Sequence, residues 1–448
     1  MPKDHPQAAE GDRMSKDSDP PGPRDDRAAK INTSRLAEIA DICLEACEDL
    51  VRQGHRPNGE KVLRRFGMAE IARHMLRLPT SELRALLRRH PELPQGPDFS
   101  LDEINLVRAH MDVLPRKPAD QPAKILAACN FKGGVAKTTT AAHLAMAAAL
   151  DGYRVLVVDL DSQASMSTLF GTPAEDEAGT AYAALAWDLA KHKCPTASPH
   201  ENGEGSFAGL TADDLIRPTH WPTIDILPAQ LNLYWAEFQV PVWLQANPGW
   251  PFWDGIGNFL RHQGLLDDYD LVFIDTPPAL GYLTINALAA ADIVLVPVGA
   301  SYIEFDSTGR FFDMLHTTFA SVEDALEASG GPKFQWDAVQ VLLTRYDAAQ
   351  QADMASIIEA YLGDVVAAER LAFTALVGQA GEQVSGLYEA APSDFNRETY
   401  RRGRATFDEA WAGIRALVER CWARESNAGI EGVSSPQSLA SKAIGTQR

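Results

Sequence analysis

Apolar residues recur along this chain with two different periods, and the change from one to the other divides it. From Ser34 to Gln53 they fall at Leu36, Ile39, Ala40, Cys43, Leu44, Cys47 and Leu50. That three-and-four spacing predicts a helix, with Ser34 placed to cap its start. Phe66 to Pro94 reads as helix, turn, helix. MAEIARHM is short and amphipathic, LRLPT supplies the turn with Pro79 in it, and SELRALLRRH follows with Thr80 or Ser81 available as cap. Leu83, Leu86 and Leu87 should then face a core while Arg84, Arg88 and Arg89 face out. Beyond Lys124 the pattern becomes short continuous apolar runs: KILAACN, RVLVVD, IDIL (Ile224 to Leu227), LVFID (Leu271 to Asp275), IVLVPV (Ile293 to Val298) and VQVLLT (Val339 to Thr344). Runs of this kind suit strands of a parallel sheet covered by helices on both faces. The Ala-rich TTTAAHLAMAAALDG between the first two, stopped by Gly152, makes a βαβ unit with a right-handed crossover.

The polar stretches set the boundaries. Residues 1–30 are rich in Pro, Asp, Lys, Gly and Ser and read as a disordered tail. Residues 31–114 read as a small helical domain, 115–123 (PRKPADQPA) as a Pro-rich linker, 124–424 as an α/β domain, and 425–448 as a second disordered tail. Cys194 to Ser206 reads as a mobile loop. A chain of 448 residues with 45% hydrophobic residues can bury more than one core. Five scattered cysteines (Cys43, Cys47, Cys129, Cys194 and Cys421) point to a reducing, cytoplasmic compartment. No apolar stretch reaches the ~20 residues of a membrane span, and MPKDHPQAAEGDRMSK lacks the apolar segment of a secretory signal.

The chemistry concentrates where strands end. NFKGGVAKTTT (Asn130 to Thr140) lies between an apolar strand and a helix, the context that gives a Gly-rich loop meaning. Gly133 and Gly134 let backbone N–H groups approach phosphate oxygens, and the following helix N-terminus adds free donors and partial positive charge. In this reading Lys132, Gly133, Gly134, Val135, Ala136, Lys137, Thr138 and Thr139 cradle a nucleotide. Lys137 bridges the β- and γ-phosphates, and the Thr138 hydroxyl holds Mg²⁺. The spacing departs from GxxxxGK[ST], with Phe131 and Ala136 at the two glycine positions. VVDLDSQAS (Val157 to Ser165) brings Asp159 to support the metal shell and Asp161 to orient the attacking water, and the apolar run that opens LVFIDTPP ends on Asp275, placed to hold Mg²⁺ through water.

These residues resemble the ParA/MinD family of ATPases, and specifically ParA partition proteins. KGGVAKTT is similar to their deviant Walker A motif, DLDSQAS to their second motif, and FIDTPPALGYLTINALAAADIVLVPV to their Walker B segment. LTADDLIRPTHWPTIDILPAQLNLYWAEF, SYIEFDSTGRFFDML and LLTRYD are similar to stretches of RepA proteins from plasmid replication-and-partition operons. The resemblance implies a P-loop fold, ATP and Mg²⁺, and an ATP-dependent sandwich homodimer in which Lys132 reaches the partner's phosphates. It also implies slow hydrolysis stimulated by a centromere-binding ParB-type partner. Ala136, where Gly is commoner, adds a methyl group near the phosphates.

The net charge of −20 opposes DNA binding by the chain as a whole. Between Lys61 and Arg89, however, eight basic residues face two acidic ones. The resemblance to larger ParA proteins makes this segment a helix-turn-helix that reads DNA and represses its own operon, with Ser81, Arg84 and Arg88 as contacts. It likewise gives Arg401, Arg402 and Arg404, within the cluster that begins at Arg397, a non-specific DNA role in the dimer. Trp411 and Trp422 on the last helix are expected in the core rather than in a membrane. The other readings are an ATP-gated repressor with no partition role and a membrane-associated MinD-like positioning ATPase.

Overall fold

The computed structural model describes residues 33–52, 61–172, 174, 177–192, 207–327, 333–374, 376–377 and 384–430. The expected tail over 1–30 and the loop from Cys194 to Ser206 lie outside them. The chain divides between Asn58 and Gly59. Before that point stands α1 (Thr33–Arg52). It already includes Ser34 in its first turn, so Ser34 is not its cap. Ile39 and Ile42 on it are exposed.

The second unit opens with β1 (Phe66–Gly67), which runs into α2 (Met68–Glu70) and a π-helical turn, Ile71–Met75. A tight turn with Arg77 at φ 54° leads to α3 (Thr80–Arg89). β2 (Asp98–Phe99) pairs antiparallel with β1, and α4 (Leu101–His110) closes the group under a capping box from Ser100 and Glu103. Helix α3 has Pro79 as its N-cap and no side-chain cap, so neither Thr80 nor Ser81 plays that part. Leu83 and Leu87 are buried and Leu86 half-buried, as the periodicity predicts.

An eight-stranded sheet follows: β3 (Lys124–Ala128), β4 (Val155–Asp159), β5 (Arg217–Pro218), β6 (Ile224–Leu227), β7 (Leu271–Asp275), β8 (Ile293–Gly299), β9 (Ala338–Tyr346) and β10 (Val366–Ala372). The order is β10-β9-β8-β3-β7-β4-β6-β5, and every neighbouring pair is parallel except β5 with β6. The connecting helices are α5 (Lys137–Asp151), α6 (Ser165–Leu169), α7 (Ala181–Lys191), α8 (Ala212–Leu215), α9 (Ala236–Ala246), α10 (Gly255–His262), α11 (Leu265–Asp268), α12 (Tyr282–Ala290), α13 (Tyr302–Glu327), α14 (Ala348–Leu362) and the long α15 (Arg397–Ile430). Successive strand residues point to opposite faces. Leu126 and Ala128 thus join a core with α5, α15 and the helical group, while Ile125 and Ala127 join one with α7, α10, α12 and α13.

Two expected boundaries move. Residues 115–123 are no free tether: Lys117 N–H donates to Asp270 (3.0 Å), Gln121 to the Trp422 carbonyl (2.7 Å), and Arg116 to the Gly152 carbonyl (2.8 Å). Before them, Arg108 is buried on α4 and donates to the carbonyls of Met75 (3.0 Å) and Leu150. The helical group therefore shares its core with the sheet. The final helix continues past residue 424, and Glu425 pairs with buried Lys124 at 2.6 Å. Trp411 and Trp422 are buried; Trp411 Nε1 donates to Asp151 (2.7 Å) and Trp422 Nε1 to the Pro122 carbonyl (3.3 Å). Among the described residues no helix is long and apolar enough to cross a membrane.

Candidate nucleotide site

Strand order builds the site. β7 lies between β3 and β4, with Asp275 in register with Ala128 on one side and Asp159 on the other. Three chain ends therefore leave the sheet side by side: the Gly-rich loop from β3, the Asp161 loop from β4, and the Thr276 loop from β7. The loop from β3 returns into α5, six of whose fifteen residues are Ala, and which packs closely against the sheet. Gly152 caps its C-terminus at φ 112°.

The loop itself is locked from several directions. Asn130 bridges it, accepting from Lys132 N–H (3.0 Å) and donating to the Pro297 carbonyl (2.8 Å). The Thr276 hydroxyl donates to the Ala128 carbonyl (2.9 Å), Thr344 to Val135 (3.0 Å), and Arg345 to Gly134 (3.0 Å). Gly134 stands at φ 78° and Ala136 at φ 68°. Glycine takes such angles freely, whereas alanine there is strained by about 1–2 kcal/mol. The departure at Ala136 is thus a matter of backbone angle as well as of an added methyl group.

Asp159 is fully buried and well supplied. It accepts from the N–H groups of Asp161 (3.1 Å) and Ser167 (2.9 Å) and from the Ser167 hydroxyl (2.7 Å). Burial, outweighing these bonds and helped by Asp161, pushes its pKa up to about 6. Asp275 is also fully buried, and neither of its oxygens has a hydrogen bond of acceptable geometry. Burial first and Asp159 second push its pKa well above the ordinary range; the nearby Thr138 hydroxyl and Lys137 only partly oppose this. Lys137 is itself buried, which lowers its pKa, with Asp275 holding it up. A buried carboxylate with free lone pairs beside a hydroxyl and a second acid is a donor set for a hydrated hard cation. The unpaired oxygens of Asp275, with the Thr138 hydroxyl nearby, suit a hydrated Mg²⁺, whereas the oxygens of Asp159 are already hydrogen-bonded.

Lys132 does not reach over the loop. Its ammonium pairs with Glu304 at the start of α13 (2.7 Å), both side chains being partly exposed. Thr138, Thr139 and Asp161 are half-buried around the cradle. Three contributors escape the sequence pattern: Ser167, which also ties Asp159 to the Ala229 N–H (2.8 Å), Glu304, and Arg345. Ser167 follows closely on DLDSQAS and could have been read as its supporting hydroxyl. Glu304 and Arg345 lie within SYIEFDSTGRFFDML and LLTRYD, segments that carry the resemblance, but nothing in those segments assigned either side chain to the loop.

The proposed DNA contacts divide. Ser81, Arg84 and Arg88 share the exposed face of α3, and Arg401 and Arg402 are exposed on α15. Arg404 is not: it is buried, paired with Glu70 and with Asp408 (3.3 Å). Its place on the inner face of α15 removes it from any DNA surface. Much of the positive excess in the helical group is also consumed internally. Lys61 pairs with Glu389, Arg64 with Glu70, Arg65 with Asp98 and Glu103, and Arg77 with Asp151.

Three kinds of comparison agree with this geometry. A family model described as an AAA domain matches residues 123–328. A protein of Sinorhizobium fredii named replication protein A is 32% identical over 411 residues, spanning 87% of this chain and 95% of the relative. The chromosome partitioning protein ParA of Caulobacter vibrioides is 30% identical, covering 55% of this chain and 79% of that one. A solved structure titled Partition Protein shares the fold at a TM-score of 0.57, with 18% identity, covering 86% of this chain and 98% of that one.

Proposed function

We propose that this chain, which belongs to the ParA/MinD family of P-loop ATPases, is a DNA-partition ATPase that binds ATP with Mg²⁺ and uses the bound state to form a homodimer. The observation that carries this is the row of strand ends: an unpaired buried carboxylate, Asp275, in register with Asp159 on one side and, on the other, with the end of the strand that runs into the Gly-rich loop and Lys137. Bound Mg²⁺ would neutralise charge between the β- and γ-phosphates. Thr138 and Asp275 would hold it with Asp159 in support, Lys137 would draw the phosphates in, and Asp161 would orient water. Lys132 would leave Glu304 and cross to the partner's nucleotide. Hydrolysis is slow in this reading and a ParB-type partner accelerates it. DNA is engaged specifically through α3 and non-specifically through Arg401 and Arg402, and the former represses the protein's own operon. The protein works in the cytoplasm on the nucleoid, and no membrane is required.

A second reading, an ATP-gated repressor without partition activity, draws on one observation, the exposed Ser81, Arg84 and Arg88 face of α3. Sedimentation of the full chain with and without MgATP, with ATP turnover measured in the presence of DNA and a ParB-type protein, separates them. Partition predicts an ATP-dependent dimer and stimulated turnover. A repressor predicts turnover that no such partner alters.

A further inference from the structure

The end of α3 carries a side-chain cluster that the nucleotide chemistry does not use. His90 is the C-cap residue of α3, Glu92 stands in the turn after it, and His110 is the last residue of α4. One ligand atom from each can be chosen so that all three lie within 4.8 Å of one another. His90 Nδ1 lies 3.0 Å from Glu92 Oε1, and the two imidazole rings meet edge-on with centroids 4.2 Å apart. Two nitrogens or oxygens bound to one Zn²⁺ at ~2.0–2.2 Å in a tetrahedron stand about 3.3 Å apart. The cluster thus needs only small side-chain rotations to close on an ion.

We propose that His90, Glu92 and His110 form a transition-metal site, of Zn²⁺ type with an open fourth position, that ties the end of α3 to the end of α4. Four observations favour this over a chance meeting of surface groups. Two imidazoles and one carboxylate are the donor set of zinc, and imidazole does not suit Mg²⁺ or Ca²⁺. Two helix C-termini converge there, and each places partial negative charge where a cation would sit. The backbone that bears the ligands is already fixed. Gln95 Nε2 donates to the carbonyls of Leu87 (3.1 Å), His90 (3.3 Å) and Leu93 (3.0 Å), and Leu93 is buried beneath the turn. Finally, the ligands are half-buried or exposed, so an ion can enter. Occupied, the site would stiffen the helix whose outer face carries Arg84 and Arg88, whether or not that face reads DNA.

The test uses the full-length protein, stripped with EDTA and returned to buffer containing Mg²⁺. Zn²⁺ is titrated by calorimetry, and Co²⁺ replaces it for visible absorption. The wild type should bind one equivalent more than the His90→Gln/His110→Gln double variant, and Zn²⁺ should raise the melting temperature only of the wild type. Glu92→Gln should weaken that equivalent by about 10-fold or more. The replaced side chains are not in the core, and an unchanged melting temperature in EDTA verifies that the variants fold. Equal stoichiometry and affinity in wild type and double variant would overturn the site.

Discussion

Asp275 is a buried acid whose oxygens no donor satisfies in the free protein, so its two roles pull in opposite directions. Its folded pKa is raised, so the stability it contributes is present at low pH and is lost as pH rises through that raised value. Asp275→Asn should therefore stabilise the nucleotide-free protein by about 1–3 kcal/mol, more at pH 8 than at pH 5, while removing Mg²⁺-dependent nucleotide binding. Urea unfolding and nucleotide titration of the same variant check both signs. Glu389 shows the reverse case. Burial raises its pKa, but hydrogen bonds from His220 (2.5 Å) and Trp221 (2.8 Å) and the charge of Lys61 outweigh it and hold the pKa at about 2. Its contribution is present above the ordinary pKa of 4.5 and is lost as pH falls from there towards 2. Glu389→Gln should flatten the acid limb of a stability-versus-pH curve between those values. At Ala136, glycine would relieve the left-handed backbone, so Ala136→Gly should gain about 1 kcal/mol, seen as a higher urea midpoint.

At the scale of elements, the start of α13 holds Lys132 through Glu304. Both side chains are partly exposed, so the pair itself is worth little, ~0–1 kcal/mol. Its interest is positional, because Lys132 cannot be held there and also reach a partner's phosphates. Glu304→Gln should strengthen the ATP-dependent dimer several-fold in sedimentation equilibrium with the monomer's melting temperature nearly unchanged. A weaker dimer would contradict the crossing role of Lys132. How much of this was legible in the chain follows from which contacts are local. The strands IDIL and LVFID match β6 and β7 residue for residue, because a covered central strand leaves a mostly apolar run, broken only by half-buried Asp225 in the first and ended by Asp275 in the second. β10 escaped because VAAERLA, at the sheet edge beside β9, carries Glu369 and Arg370. The cradle was legible because a loop between strand and helix keeps its ligands together. The insertion of β7 between β3 and β4 was not, since no local pattern encodes strand order. Arg404 misled for a related reason: its partner Glu70 lies 334 residues away.

Considered whole, the second unit is one folded body from its short N-terminal helices to α15. Buried Arg108 joins them, bonding Asn105 (2.7 Å) on its own helix, Met75 in the turn below and Leu150 in α5. Burial lowers its pKa to about 10, against the pull of Asp151. Arg108→Ala should cost about 3 kcal/mol in urea unfolding, mainly by leaving buried carbonyls unpaired, and should loosen α3 and α5 together. For the same reason DNA binding has to be tested on the full chain: a fragment ending near Arg116 would leave the apolar side of its helices without α5 and α15 to cover it.

The central claim is that the aligned ends of β3, β4 and β7 hold a nucleoside triphosphate through a divalent cation. The most direct measurement is ATP affinity by calorimetry with Mg²⁺ and with EDTA, on the wild type and Lys137→Ala. Tight binding that requires both Mg²⁺ and Lys137 is the predicted result. Affinity that survives EDTA, or that is the same without the Lys137 ammonium, would contradict it.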